Sequence, residues 1–277
     1  MGDLGAYLAR IGHAGPATPT LATLRALHAL HPAAIAFEGL DPLLGREVRL
    51  DPASVARKLV GERRGGYCFE HNLLFASVLR SIGFSVETLG GRVIWATGPD
   101  GPPRPRTHML LLVTLDGATW IADVGFGGYL ADAPLRLQAG VAQTTPAGRF
   151  MLTEADGTWT LAAGVGDGWR GAYRFTLEPQ AAADYEVANW YTSTHPASLF
   201  RNHLLMERLA PGLRAALLDR HLTLRHADGR VETSVLEDAD ALAATMDRVF
   251  GVTPPVDPAE IFARLPPAPP PGRCDAA

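Results

Sequence analysis

Lysine is almost missing from this chain of 277 residues: Lys58 is the only one, so arginine carries nearly all of the positive charge. Codon bias is the plain explanation of that skew. Charge of any kind is modest, with charged residues at 19% and a formal net charge of -4. The isoelectric point is near 6.1. A general nucleic-acid or anionic-membrane binder needs a clustered positive field, and this balance argues against one.

Cysteine is nearly absent too. Only Cys68 and Cys274 occur, the second in a proline-rich tail, which excludes a disulfide framework and points to a reducing compartment. No apolar run reaches the roughly eighteen residues that a bilayer span requires, and Met1 to Gly15 lacks a basic segment followed by an apolar one. A cytoplasmic protein without membrane contact is expected. The chain has no Gly-x-x-x-x-Gly-Lys-[Ser/Thr] phosphate loop and no Gly-x-Gly-x-x-Gly between strand and helix, so ATP and NAD are poorly supported and no permanently bound cofactor is expected. Cys-x-x-Cys and His-x-x-x-His pairs are also missing, and no metal site is expected. Hydrophobic residues at 47% are enough for a sizeable core at this length.

What is present falls into three textures. Residues 1–83 read as helical: Thr20 caps a segment with Leu21, Leu24, Leu27 and Leu30 on one face, and Asp51-Pro52 opens another with Val55 and Leu59. A further helix starts near Cys68, carries Phe69, Leu73, Ala76 and Leu79 on one stripe, and ends at Gly83 in a left-handed cap. Residues 84–200 turn to strands, at Phe84 to Ala96, His108 to Leu115 and Thr119 to Val124. Asp116-Gly117 and Asp156-Gly157 are hairpin signals, and Thr158 to Leu161 and Tyr173 to Leu177 extend the pattern toward a sandwich or small barrel. Tyr185 to Thr194 is a helix or connector that stops before Pro196. Residues 201–277 place strands at Leu213 to His226 and Arg230 to Val235, meeting at Asp228-Gly229. A helix over Asp238 to Phe250 follows, then an extended tail from Pro254. The fold class is α+β.

The run Arg63-Arg64-Gly65-Gly66-Tyr67-Cys68-Phe69-Glu70-His71-Asn72 sets a cysteine after a diglycine turn, in the first turn of a helix. Unpaired N–H groups and the positive end of the helix dipole favour thiolate over thiol there. The glycines let backbone approach a ligand, and the Cys68 N–H is a donor for a developing oxyanion. The same residues also fit a small buried core cysteine behind a structural turn.

A thiolate nucleophile needs a histidine to accept its proton and a carboxylate to orient that histidine. His108 heads an apolar strand, and Asp123 ends the neighbouring one across the Asp116-Gly117 hairpin, within a bulge of register. Both also fit ordinary strand ends near solvent. His71, on the Cys68 helix, is a metal co-ligand only if a cluster completes it. His13, His28, His31, His221 and His226 read as surface residues, and His195 as a helix end or cleft residue. Gly125-Phe126-Gly127-Gly128 is a flexible loop that supplies either an acceptor wall or a bend with Phe126 in the core.

Taken together these motifs resemble the arylamine N-acetyltransferases over nearly the whole chain. The likeness rests on Tyr7 to Gly12, Ala36 to Pro42, Arg64 to Asn72, Gly90 to Val93, His108, Asp123 to Gly127 and Tyr185 to Trp190. It implies an N-terminal helical bundle, a central β-barrel and a C-terminal α/β lid around a triad core like that of cysteine proteases. The triad falls on Cys68, His108 and Asp123. Acetyl-CoA is the implied co-substrate, and a small aromatic amine or hydrazine the acceptor. Phe37, Val93 and Phe126 match positions lining the acceptor pocket, and Gly127 lies where the pantetheine arm approaches. Gly39 departs from the pattern, which has Asn after Phe-Glu.

Two rivals share the residues. A cysteine hydrolase or CoA-independent amide synthase uses the same triad order, and a non-catalytic binding module predicts an unreactive Cys68. Physiological acceptor, acyl chain and oligomeric state stay open.

Overall fold

Capping residues start the N-terminal helices. In the computed structural model, which describes residues 3–98 and 101–267, Asp3 accepts the Gly5 and Ala6 N–H groups at the head of α1 (Leu4–Ile11). Thr20 accepts from Thr23 in α2 (Leu21–Ala34). After the two-residue strand β1 (Phe37–Glu38) and the short α3 (Leu40–Leu43), Asp51 caps α4 (Pro52–Ala56), which runs on into a wide turn at Arg57–Gly61. α5 (Cys68–Ile82) ends at Gly83, whose φ of 107° is the left-handed stop its sequence promised. Leu24, Leu27, Val55, Leu59, Phe69 and Phe75 bury one common core.

The strands that follow form one antiparallel sheet: β2 (Ser85–Val93), β3 (His108–Leu115), β4 (Ala118–Ala122), β5 (Leu135–Arg136), β6 (Ala142–Thr145), β7 (Gly148–Ala155), β8 (Thr158–Val165) and β9 (Gly168–Pro179). Their eight-stranded order is β5-β4-β3-β2-β9-β8-β7-β6. Asp116 and Gly117 (φ 50° and 73°), like Asp156 and Gly157 (φ 50° and 75°), make the expected hairpin turns. The sheet curls into a nearly closed barrel. At the seam the Gln143 side chain bonds both the N–H and the carbonyl of Arg136, at 2.7 and 2.8 Å, standing in for a ladder rung between the edge strands. From Met109 to Val113 strand β3 is apolar because both faces are buried: Leu110 and Leu112 point into the barrel, while Met109, Leu111 and Val113 pack on the helices.

After α6 (Ala182–Thr194) and α7 (Leu199–Asn202) comes a second sheet, of five strands: β1, β10 (Leu205–Ala210), β11 (Leu213–Leu218), β12 (His221–His226) and β13 (Val231–Val235). β1 pairs with β10, so the N-terminal segment supplies an edge strand to the C-terminal sheet. Met206, Ala215, Leu217 and Leu222 cover α8 (Ala239–Thr245) and its continuation through Met246 and Phe250. The stretch Leu213 to His226, expected as one strand, is two. Its turn at Asp219-Arg220 lacks glycine, proline and asparagine, and Asp219 takes φ 54° without them. α9 (Pro258–Phe262) interrupts the tail expected to be extended, with Pro258 in its first turn and Asp257 as cap. Pro269 to Pro271 and Cys274 lie outside the described residues. Among those described, no helix is long and apolar enough to cross a membrane.

Candidate active site

Cys68 is the first residue of α5 and only 5% exposed. Its Sγ lies 3.4 Å from the Thr107 carbonyl oxygen. Glu70 accepts the Tyr67 N–H at 3.1 Å and so fixes the helix start. Gly65 and Gly66, read from sequence as room for a ligand to approach the backbone, here let other parts of the protein approach it. A Cβ on Gly65 would stand 2.0 Å from the Ala36 carbonyl oxygen, and one on Gly66 would stand 2.6 Å from the Glu70 carboxylate. They press the turn against β1, where the Glu38 N–H donates to the Gly66 carbonyl at 2.7 Å. Behind the turn, Lys58 sits 2.6 Å from Asp41 and 2.7 Å from Glu70, and Arg64 sits 2.7 Å from Glu38 and 3.2 Å from Asp41. Burial works against both cations, yet the surrounding carboxylates outweigh it and raise both pKa values. The only lysine in the chain is thus enclosed in an ion network.

His108 opens β3 at the rim of the barrel, and Asp123 follows β4. His108 Nε2 is 2.7 Å from Asp123 Oδ2, with both residues buried rather than near solvent. No bulge brings them together. The β3–β4 register runs unbroken from Leu111 opposite Ala122 to Leu115 opposite Ala118. Continued by one pair, it sets Asp123 opposite Leu110, and His108 meets the carboxylate as a diagonal neighbour on the same face.

Asp123 Oδ1 accepts from Asn72 Nδ2 and from the Gly125 N–H, both at 3.0 Å, and the Asp123 N–H donates to His28 Nε2 at 3.1 Å. Asn72 stands one turn after Cys68 on α5, donates to the Met109 carbonyl at 2.7 Å and accepts from Val124 at 3.2 Å. Burial disfavours a charged His108, but the charge and hydrogen bond of Asp123, together with Cys68, lift its pKa to about 10. Burial alone would raise Asp123, and His108, Asn72 and Gly125 hold it below the usual carboxylate range instead. The result is a buried imidazolium–carboxylate pair. Since Asp123 takes Nε2, Nδ1 is the ring nitrogen left for Cys68.

Aromatic rings wall the imidazole. Tyr173 lies 4.6 Å from His108 between ring centres, and Phe126 stands edge-on at 5.2 Å. The Phe37 ring comes within 3.1 Å of where a Cβ on Gly127 would be, so Phe37, Gly127 and Phe126 share a wall. Val93 ends β2 opposite Tyr173 and packs on the barrel core. A cavity of about 400 Å³ opens beside His108, lined by Thr107, Tyr185, Val187 and Tyr191 among others. A larger groove of about 870 Å³, along Arg46 to Pro52 and α6, touches none of Cys68, His108 and Asp123.

Two histidines expected at the surface are in the core. His28 and His31 are 1% and 0% exposed, because each imidazole finds a polar partner inside: His28 the Asp123 N–H, His31 both the Tyr7 hydroxyl at 2.9 Å and His71 at 2.8 Å. Burial pushes His28 and His71 down to about 4, so both are neutral. His71 spends its other nitrogen on the Ala36 carbonyl at 3.2 Å. His195 caps the end of α6 and stacks on Tyr191. Among the described residues no group of three or more His, Cys, Asp or Glu is arranged to hold a metal. Sequence reasoning gave no role to Asn72, although its place four positions after Cys68 put it on the same helix face. Tyr173 comes from a distant strand and carries no local signal.

A family model described as N-acetyltransferase matches residues 20–257. The arylamine N-acetyltransferase of Escherichia coli K12 is 45% identical over 219 residues, which are 79% of this chain and 77% of that protein. The one from Mycobacterium tuberculosis H37Rv is 42% identical over 253 residues, 90% of this chain and 89% of its own. Among solved structures, the Mycobacterium marinum arylamine N-acetyltransferase in complex with CoA superposes with a TM-score of 0.90 at 39% identity, covering 95% of this chain and 99% of that one.

Proposed function

The chain belongs to the arylamine N-acetyltransferase family, and from that premise we propose that it carries an acetyl group from acetyl-CoA to the nitrogen of a small aromatic amine or hydrazine, with Cys68 as the carrier. The observation that supports this reading most is the buried His108–Asp123 pair beside a cysteine in the first turn of a helix. A cationic imidazole next to the sulfur stabilises its anion, the form that attacks a thioester.

In the first half-reaction Sγ attacks the acetyl carbonyl carbon, the carbon–sulfur bond to CoA breaks, and the CoA thiolate takes up a proton from His108. In the second, the acceptor nitrogen attacks the acetyl-cysteine carbonyl, His108 takes the amine proton, and Sγ leaves. Asp123 keeps the imidazole oriented and charge-balanced in both. The Cys68 N–H, at a position without an intrahelical acceptor, is placed to donate to the oxyanion. Exchange of one thioester for another costs little free energy, and the final amide draws the reaction forward. Near-complete burial of Cys68 limits loss of the acetyl group to water. That the Mycobacterium marinum relative was solved with CoA favours CoA thioesters as donors.

Acetyl-CoA alone is expected to add one acetyl group to the protein, read by intact mass in a single turnover, and Cys68→Ala to abolish the addition. Wild-type protein that stays unmodified defeats the proposal, and is the result that a hydrolase, a CoA-independent amide synthase or a binding module predicts.

A further inference from the structure

The loop after Asp123 is held from outside the barrel. Arg214, on β11, donates to the Gly128 carbonyl and, over 2.9 Å, to the Leu130 carbonyl. Its guanidinium carbon also lies 5.1 Å from the centre of the Tyr129 ring. One side chain therefore grips three consecutive residues, a task suited to the planar fork of arginine and not to the single ammonium of lysine. Tyr129 stacks in turn on Trp95 at 4.8 Å, with Arg170 4.2 Å from the Trp95 ring. The column ties the C-terminal sheet to the barrel through the loop.

Register explains why Arg214 faces this way. Glu207 pairs with Phe37 and Ala216, and Arg214 pairs with Leu209, which sets Phe37, Glu207, Leu209 and Arg214 on one face of the sheet. The opposite face, with Met206, Ala215 and Leu217, is the one buried on α8. Glu207 and Leu209 join Phe37, Val124, Phe126 and Leu130 around a recess of about 10 Å³, the room of one water. An aromatic ring does not fit there unless the residues around it, Phe126 and Leu130 among them, move. Gly128, at φ 123°, puts no side chain of its own into the contact, so external bonds decide how far the backbone yields.

We propose that Arg214 is a positioning residue for the acceptor: by holding the Gly128–Leu130 backbone it fixes the wall carried by Phe126 and limits the size of aromatic amine that reaches acetylated Cys68. The inference rests on the acetyl-transfer reading above.

Arg214→Gln tests it, with Arg214→Lys beside it. In Arg214→Gln the ratio of kcat/KM for a two-ring aromatic amine to that for a one-ring amine is expected to rise about tenfold, a larger change than any in the acetylation of Cys68 by acetyl-CoA. Lysine, which reaches one carbonyl at a time, is expected to give an intermediate ratio. Amide hydrogen exchange over residues 127–131 should quicken in Arg214→Gln and stay unchanged in the rest of the barrel. An unaltered size ratio overturns the proposal whether or not the exchange changes, and unaltered exchange removes the grip on the loop. If wild-type protein takes no acetyl group the acetyl-transfer reading fails by itself, and unchanged exchange in the variant then separately removes the grip.

Discussion

His108 is subject to two opposed effects, and their balance is measurable. Burial favours neutral imidazole, while Asp123 at 2.7 Å favours the cation and prevails, with the pKa near 10 against an ordinary 6.5. A raised histidine stabilises the fold fully below its ordinary value, and that stabilisation decays as pH rises until it is gone near 10. Asp123, held low, contributes above the ordinary carboxylate value and loses its share as pH falls through its folded value. Urea unfolding should therefore show a stability advantage of wild type over Asp123→Asn that is largest near pH 6. It should shrink by up to about 1.4 kcal/mol per pH unit toward pH 10. A constant advantage across that window contradicts the ion pair. At Gly39 the Phe200 ring comes within 2.9 Å of where a Cβ would stand, and it packs on Phe37 and Tyr67, so a side chain at this position would have to displace that ring.

At the scale of elements, the turn before α5 and the β3–β4 hairpin deliver the three candidate groups. The hairpin was legible because Asp116-Gly117 has the two positive φ values a tight turn demands, and Gly83 marked the end of α5 for the same conformational reason. The diglycine turn was legible as a turn but not for its cause, since the Ala36 carbonyl against it comes from a segment distant in sequence. Gly65→Ala is expected to cost about 1–3 kcal/mol or more, because the group in the way is backbone and cannot rotate aside. Thermal unfolding reads the loss, and a variant as stable as wild type would show the turn to be loose. The Asp219 turn carries no glycine to mark it, whereas α9 does carry a local sign, since Asp257-Pro258 repeats the opening of Asp51-Pro52, but its five residues are too short to show a helical periodicity.

The described residues form three cores, and the candidate site lies where two of them meet: Cys68 belongs to the helical core, while Phe126 and Tyr173 belong to that of the barrel. The third core joins through β1, and the Glu38–Arg64–Asp41–Lys58–Glu70 network fastens that strand to the helix carrying Cys68. Lys58→Met leaves Glu70 buried without a cation and Asp41 with Arg64 alone, so a loss of about 3–5 kcal/mol is expected in denaturant unfolding. A neutral result would mean that water replaces the ammonium. Local chemistry, read along the chain, was enough to determine the α+β class, the helix starts after Thr20, Asp51 and Asp238 and at Cys68, the Asp116-Gly117 and Asp156-Gly157 hairpins and the three side chains worth watching, because caps, turns and periodicity act over a few residues. Only the tertiary structure decided that His108 and Asp123 meet without a bulge, that His28 and His31 are buried, and that Arg214 grips the loop beyond Asp123. Those facts depend on which distant groups satisfy a buried polar atom, and partners of that kind leave no trace in neighbouring sequence.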